Sequence, residues 1–324
     1  MLHPVELPAL DGRDPLGFLA SLGLVRILTH TEDDNDNVRL SFSDTTGAAI
    51  LHSRFPDTNV VAERLVKVVG AAPDGTAIPG IDPRLPLVSG ATGGDPMRPK
   101  LTDFRALARR TEEIDPHFTR HWLPYLVTDQ AVDRNGRVAL TPYMAPSGKQ
   151  TVRTFFEKPL SLVRQTPEHL HEALIQWRRI PGVTGEYLDH RVLNSAADDP
   201  SGESLELGVP GATWLATMAL PLLRLTGDGA RVRATPWHRI ARRPVMIWPL
   251  WREPLPLTGF RPLLDHPALR PDEKAPRDRP PSLNPTPWPL LTIFTASAAH
   301  RVPVPGRKSA GVLTPLTLNI QEPT

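Results

Sequence analysis

The 324-residue chain contains no cysteine. The missing thiols exclude disulfides, thiolate zinc sites, iron–sulfur ligation and thiol nucleophiles together. No apolar stretch approaches the roughly 20 residues that a membrane-spanning helix needs. The segment Met1 to Leu10 lacks a basic region followed by an apolar one, which a secretory signal requires. We therefore expect a cytoplasmic protein that makes no contact with a membrane.

Lysine is also scarce. It supplies only six of the 37 basic residues, and arginine supplies the others. The formal net charge is +2, so total charge does not mark the chain as a nucleic-acid binder. Arginine, however, pairs with phosphate better than lysine does, because its planar guanidinium carries forked donors. A GC-rich genome, which enriches arginine, proline and alanine whatever the function, is the competing explanation, and the 38 prolines agree with it.

The composition predicts a globular α+β protein. Hydrophobic residues make up 40% of the chain, which is enough for a sizeable core. The predicted helices and strands follow no βαβ rhythm, which favours mixed helices and short antiparallel strands joined by long, irregular, Pro-rich loops. We expect a single unit over residues 1–324, and a sub-boundary near residue 200 stays open. Eight prolines fall within residues 265–289, which predicts an irregular excursion there.

The first predicted helix begins at Asp14-Pro15 and continues to Leu28. Asp14 is a good N-cap, and proline is well tolerated at the first helical position. Apolar side chains surround nearly every face of this segment, so we expect the helix to be largely buried. Gly17 and Gly23 lower the helix propensity. Their presence predicts that another backbone packs closely against the helix.

Hydrophobic periodicity and capping residues predict the remaining elements. Further helices are expected over residues 59–69, 101–110, 166–179 and 211–225. Pro221 should kink the last of these or end it early. Strands are expected over residues 38–42, 137–141, 230–235, 244–248, 290–294 and 312–320. The Gly- and Pro-rich stretch 71–99 is interpreted as a long surface loop.

No strong catalytic motif is present. Ser147 to Lys149 resembles part of a phosphate-binding loop, but Tyr143 stands where that motif needs its first glycine. Gln150 stands where the motif needs a serine or threonine to bind magnesium. We therefore predict no catalytic residues and no cofactor.

His117 and His121 are the candidates for a metal site. They lie four residues apart and could share one helix face, with Glu113 one turn earlier. Pro116 interrupts that helix, however, and no further ligand stands at a diagnostic spacing. We predict that the chain binds no metal.

The strongest charge feature is the segment from Arg224 to Arg252. It holds seven arginines against a single acid, Asp228, and tryptophans alternate with them. Arginines beside aromatic rings can pair with phosphates and stack on bases. The competing interpretation is an exposed sheet face whose tryptophans belong to the core. The candidate nucleic-acid-binding residues are Arg231, Arg233, Trp237, Arg239, Arg242 and Arg243.

Four further stretches carry a family resemblance. They are LDGRDPLGFLASLGLVRIL (10–28), APSGKQ (145–150), WLATMALP (214–221) and KSAGVLTP (308–315). Together they resemble subunits encoded with type I-G CRISPR systems, formerly type I-U. Within that group the chain is most similar to the stand-alone "extension" family associated with the signature nuclease–helicase. The accessory subunit and the large subunit of the same systems are the next most similar families.

The resemblance implies a role in antiviral defence. The implied partners are other type I-G effector subunits or the nuclease–helicase, together with CRISPR RNA or target DNA. The family has no established catalytic residues to transfer to this chain. We therefore expect a non-catalytic subunit or adaptor that contacts nucleic acid or other subunits through an Arg-rich surface. Two alternatives stay open: a metal-independent ribonuclease of CRISPR RNA processing that uses residues such as His238 and Arg239, and a structural protein without nucleic-acid contact.

Overall fold

The computed structural model describes residues 2–30, 37–90, 94–146, 150–192, 206–273, 276, 279–304 and 311–320. Several features of the sequence lie outside these residues. They are the phosphate-loop-like Ser147 to Lys149, the open sub-boundary near residue 200, and residues 308–310 of the last resemblance stretch.

The described residues form an α+β fold, as predicted. The helices are α1 (Pro15–His30), α2 (Thr58–Ala71), α3 (Phe104–Ile114), α4 (Pro116–His121), α5 (Leu123–Leu126), α6 (Val152–Gln165), α7 (Glu168–Ile175), α8 (Pro210–Met218) and α9 (Leu257–Leu264). The strands are β1 (His3–Asp11), β2 (Arg39–Phe42), β3 (Ala48–Ser53), β4 (Val127–Val132), β5 (Val138–Leu140), β6 (Ile180–Pro181), β7 (Leu207–Gly208), β8 (Leu225–Gly227), β9 (Val232–Ala234), β10 (Trp237–Ile240), β11 (Arg243–Trp251), β12 (Leu255–Pro256), β13 (Ser282–Leu283), β14 (Ile293–Val302), β15 (Val312–Leu316) and β16 (Asn319–Ile320).

Two four-stranded antiparallel sheets carry most of the strand structure. Their strand orders are β1-β3-β2-β12 and β10-β11-β14-β15. Phe18 of α1 contacts both sheets, since its ring lies 6.0 Å from that of Phe42 and 5.4 Å from that of Trp248. Indole N–H groups strengthen the junction. Trp248 donates to the carbonyl of Gly12 and Trp251 donates to that of Leu40, both at 2.7 Å.

The N-terminal helix forms as predicted and is buried. Every residue from Pro15 to Leu28 is buried, and the Asp14 side chain accepts hydrogen bonds from the first turn. The glycine prediction is confirmed at Gly23. A Cβ there would lie 1.8 Å from the carbonyl oxygen of Leu215 in α8, so α1 and α8 approach backbone to backbone. A Cβ on Gly17 would lie 2.3 Å from the carbonyl oxygen of Asp11.

Other expected elements differ mainly at their ends, and some were missed. Helix α7 stops at Ile175, before the expected end, and α8 ends at Met218, before Pro221. Strand β1 was missed because it contains two prolines, which usually argue against a strand. It is an edge strand of its sheet, where a missing N–H is tolerated. Helix α6 contains Pro159, which hid its periodicity.

The prediction of a long surface loop at 71–99 is half wrong. Its described residues beyond α2 form no helix or strand, but they pack into the core. The buried side chains are Ala77, Ile78, Ile81, Leu85, Leu87 and Met97. Arg153 of α6 fixes the segment by donating to the carbonyls of Gly75, Pro83 and Pro86. The irregular backbone is thus stabilised by apolar burial and a buried guanidinium rather than by a sheet or helix.

The described residues of the excursion at 265–289 are irregular, as expected, but they are also anchored. Leu269, Leu283 and Trp288 are buried, and the Trp288 indole donates to the carbonyl of Ala268 at 3.2 Å. Among the helices of the described segments, none is both long enough and apolar enough to cross a bilayer.

Arg301 of β14 connects three separate parts of the fold. Its guanidinium donates to the carbonyls of Pro142 (3.1 Å), Tyr143 (2.6 Å), Tyr187 (3.1 Å) and Gly311 (2.7 Å). Burial lowers the pKa of Arg301 to about 10, so the group stays charged at neutral pH. Four carbonyl dipoles stabilise this charge, and no carboxylate among the described residues pairs with it.

The carbonyl of Tyr187 belongs to an unusual turn. Gly185, Glu186 and Tyr187 have successive φ values of 56°, 51° and 59°. The left-handed region costs a residue other than glycine roughly 1–2 kcal/mol. Arg301 helps to offset this strain through its bond to Tyr187. The side chain of Glu186 is buried in the turn, and burial raises its pKa to about 7.

Replacing Gly23 by alanine should lower the free energy of unfolding by about 1–3 kcal/mol, because the new Cβ would overlap the α8 backbone. Gly70→Ala in α2 is the matched control, since nothing lies within 4 Å of the added Cβ. Urea unfolding of both variants compares them, and the control should match or slightly exceed the parent. An unchanged stability of Gly23→Ala would contradict the close approach of α1 and α8.

Replacing Arg301 by lysine should destabilise the fold by about 2–4 kcal/mol. The ammonium is a point donor, so it leaves buried carbonyls without partners that the planar guanidinium reaches. Arg109→Lys on exposed α3 is the control and should change stability by less than about 0.5 kcal/mol. Thermal unfolding of both variants tests the difference. If lysine lowered the stability equally at the two positions, the four hydrogen bonds of Arg301 would not be important for the fold.

Candidate nucleic-acid interface

Two successive hairpins enclose a cleft that holds most of the predicted binding residues. Strands β8 and β9 make the first hairpin, and β10 and β11 make the second. The cleft between them has a volume of about 510 Å³, which suits a nucleotide-sized group. Its charged and aromatic lining consists of Arg224, Asp228, Arg231, Arg233, Trp237, His238, Arg239, Asp265, Arg270 and Glu273.

The structure brings four of the six predicted binding residues into this cleft. Arg231 and Arg233 are exposed and both line it, Arg231 from the residue before β9 and Arg233 from β9 itself. Trp237 and Arg239 line it from β10. Their two side chains lie on the same face, since they are two residues apart on one strand.

The other two predicted residues lie elsewhere. Arg242 occupies the two-residue turn between β10 and β11, and Arg243 begins β11 on the sheet face opposite to Arg239. Neither side chain lines the cleft. Strand alternation therefore places the arginines of one hairpin on two opposite faces. From its sequence the segment is interpreted as a single surface, and these two faces are not distinguished.

Carboxylates neutralise only part of the positive charge. Arg233 pairs with Asp228 at 3.2 Å, and Arg224 pairs with Asp265 at 3.1 Å. Asp265 also accepts a 2.6 Å hydrogen bond from the hydroxyl of Thr235. Exposed ion pairs of this kind contribute little stability, so they can exchange for other anions.

Three cleft arginines remain without such a partner. Arg231, Arg239 and Arg270 are exposed and have no ion pair within the described segments. The cleft lining contains five arginines against three carboxylates, so it keeps a positive excess. That excess, concentrated in one concave surface, favours an anionic ligand even though the chain as a whole is nearly neutral.

Trp237 is the single tryptophan of the Arg-rich segment that lines the cleft. Its ring meets that of buried Tyr143 edge to face, with centroids 5.8 Å apart. The Tyr143 hydroxyl donates to the carbonyl of Thr235 at 2.7 Å, and the Tyr143 carbonyl accepts from Arg301. Arg301 thus fixes the backbone of Tyr143, and the Tyr143 ring packs against Trp237.

Trp248 and Trp251 belong to the core. Both are almost fully buried, and their indoles bond to backbone carbonyls. For these two tryptophans the core interpretation is the correct one.

His238 is the histidine of the cleft. Burial, and then the charge of Arg270, lower the pKa of His238 to about 4, so its imidazole is neutral at pH 7. Its Nε2 atom is buried and has no hydrogen-bond partner among the described residues. A neutral imidazole offers one donor and one acceptor nitrogen, which suits hydrogen bonding to a polar ligand better than pairing with a phosphate.

The third wall of the cleft was missed by sequence reasoning. Asp265, Arg270 and Glu273 come from the Pro-rich excursion, which follows α9. The sequence did not indicate these residues, because positive and negative side chains are mixed throughout that segment. Leu269 of this segment is buried, and the N–H of Ala241 in the hairpin turn donates to the carbonyl of Glu273 at 3.2 Å.

The metal candidates lie apart from the cleft. His117 and His121 share α4, with ring centroids 4.6 Å apart, whereas Glu113 belongs to α3. A different trio, Asp14, Asp189 and His190, has ligand atoms within 4.8 Å of one another. That no metal is bound at either place stays a prediction.

An ion-pair network occupies the trio. Arg191 pairs with Asp14 at 2.7 Å and with Asp189 at 3.1 Å, and Arg179 pairs with Asp189 at 2.5 Å. This network ties the first turn of α1 to the segment after α7. Its role is structural, because each carboxylate already has a cationic partner.

No protein-family model matches the chain, and no curated protein matches it.

The neutral state of His238 has a measurable consequence for stability. Because its pKa in the folded chain is about 4, below the usual 6.5, the unfolded chain binds the proton first as the pH falls. Stability from this group is therefore intact above about pH 6.5 and declines toward pH 4, by about 2 kcal/mol at pH 5. His238→Gln should lack this part of the decline. Urea unfolding at neutral and acidic pH measures it, and parallel declines for parent and variant would refute the burial argument.

Proposed function

We propose that the chain is a non-catalytic, cytoplasmic subunit of a type I-G CRISPR interference system, and that it binds single-stranded nucleic acid in the cleft between the two hairpins. The single observation that carries the binding proposal is the cluster of arginines without ion-pair partners among the described residues, which lies beside Trp237 in one concave surface. Grooves that combine positive charge with an aromatic side chain are typical of single-strand binding.

Each part of the cleft has a role in this proposal. The guanidinium groups of Arg231, Arg239 and Arg270 bind backbone phosphates, for which their forked donors are suited. Trp237 offers a ring on which a base can stack. His238 provides hydrogen-bonding groups toward a base without adding charge.

The ribonuclease alternative is less well supported by this geometry. A general base works best with a pKa near the operating pH, and that of His238 is about 4. The nearby carboxylate of Asp265 already accepts from Thr235 and Arg224. No second imidazole lines the cleft in the part of the chain that the structure describes. We therefore favour binding over cleavage.

The family placement is supported by the four sequence stretches alone. Its direct test is a pull-down from the native host, with sequencing of the RNA that co-purifies and identification of the proteins. Recovery of CRISPR RNA with effector subunits would support the placement. If neither were recovered, the family placement would be rejected. The cleft proposal would not be affected, because it has its own test.

The cleft proposal predicts the behaviour of one double variant. Arg231→Ser with Arg239→Ser should bind single-stranded RNA or DNA more weakly, and the slope of log affinity against log salt should fall by about 0.7 for each phosphate that is no longer bound. Both side chains are exposed, so the melting temperature should change little. Fluorescence anisotropy over a salt series measures the affinities.

Arg105→Ser with Arg109→Ser on α3 is the matched control, since it removes the same charge from an exposed helix face. Equal salt slopes for the two double variants would show that binding depends on general charge and not on the cleft. Cleavage of the RNA by the parent chain, abolished in His238→Gln, would instead favour the ribonuclease.

A further inference from the structure

The hairpin that forms one wall of the cleft has a second cationic feature on its other face. The register places Arg243 opposite Ile240 and Val245 opposite His300, so these side chains share one face of the β10-β11-β14 sheet. That face is opposite to the one that presents Trp237 and Arg239 to the cleft.

A small pocket lies on this second face. Its volume is about 50 Å³, which leaves room for a small anion with few waters but not for a base. The charged and titratable side chains in its lining are Arg243, Arg279 and His300, and no carboxylate of the described residues contributes to it. Arg243 and Arg279 are exposed, and neither forms an ion pair within the described part of the chain.

Among the described residues of its lining, none compensates the positive charge of the pocket. Desolvation and then the charge of Arg243 lower the pKa of His300, because both disfavour the protonated ring. A bound anion would reverse this effect by favouring the protonated ring. Two guanidinium groups and one imidazole around a small cavity are suited to a tetrahedral oxyanion.

Arg242 belongs to the turn between β10 and β11 and lines neither this pocket nor the cleft. It occupies the hairpin turn with φ 71°, next to Ala241 with φ 46°. Two-residue turns of this kind strongly prefer glycine or asparagine, so an arginine in the left-handed region is strained. Arg242 is exposed, so it adds a positive charge to the end of the hairpin whose two faces carry the cleft and the pocket.

We propose that Arg243, Arg279 and His300 form a phosphate-binding site, and that a nucleic-acid strand leaving the cleft rounds the hairpin turn past Arg242 and places a backbone phosphate in it. The second clause rests on the proposed function, whereas the phosphate site itself does not. In this proposal the arginines on both faces of the hairpin have the same role, because they bind phosphates of one nucleic-acid strand.

The phosphate site is tested first with inorganic phosphate alone. NMR titration of the His300 ring should show a higher pKa in phosphate than in chloride of equal ionic strength. The increase should disappear in Arg243→Ser with Arg279→Ser. An identical His300 titration in the two anions would overturn the site, whatever the cleft does.

The path of the strand is tested with oligonucleotides of two lengths. The Arg243→Ser, Arg279→Ser variant should bind a dinucleotide, which fills only the cleft, as the parent does. Its affinity for a longer single-stranded homopolymer should fall, with a salt slope lower by about 0.7 for each phosphate released from the site. An equal decrease at both lengths, or at neither, would overturn the path around the turn. Failure of the parent to bind any oligonucleotide would instead overturn the cleft proposal, and the phosphate titration would still decide the site.

Arg242→Gly separates binding from folding. Glycine relieves the left-handed strain, so the variant should be as stable as the parent or more stable. It should nevertheless bind the longer homopolymer more weakly while its affinity for the dinucleotide is unchanged. A variant that gains stability and keeps full affinity for the long strand would show that Arg242 is not on the path.

Discussion

The hydrogen bonds of Arg301 to four backbone carbonyls are the interaction on which the rest of the structure depends. One guanidinium connects β14 to residues 142–143, to the left-handed turn that ends at Tyr187, and to Gly311 before β15. The same group donates to the carbonyl of Tyr143, and the ring of Tyr143 contacts that of Trp237 at the cleft. The cleft therefore depends on a charge that does not line it.

Arg301 is one example of a wider use of arginine in this chain. Each proline removes a backbone N–H donor but keeps its carbonyl, so a chain with 38 prolines has an excess of acceptors. A guanidinium carries five N–H donors and can satisfy several carbonyls at once. The described proline carbonyls that accept from arginine are those of Pro73, Pro83, Pro86, Pro142 and Pro221. At these five positions an arginine supplies the donor that satisfies the carbonyl of a proline.

The arginines consequently fall into two groups. Those with backbone partners, such as Arg153 and Arg301, hold irregular segments in place. Those without ion-pair partners in the described segments, such as Arg231 and Arg239, lie exposed beside Trp237 and supply the positive excess of the cleft. The net charge of +2 conceals this division, because acids elsewhere in the chain balance the exposed group.

The sequence by itself determined the α+β class, the buried N-terminal helix and the close backbone contact at Gly23. These follow from local rules: Asp14 caps, Pro15 begins the helix, and a glycine in a buried apolar helix indicates a neighbouring backbone. Four of the six binding residues predicted from the sequence also line the cleft, since Arg231, Arg233, Trp237 and Arg239 lie within one short segment. Only the tertiary structure decided that Arg243 faces away from Arg239, because a strand's alternation depends on where the strand begins. It alone brought Asp265 and Arg270 to the cleft and paired Arg301 with carbonyls far away in sequence. Such contacts depend on how the segments fold together, and no local pattern of residues encodes them.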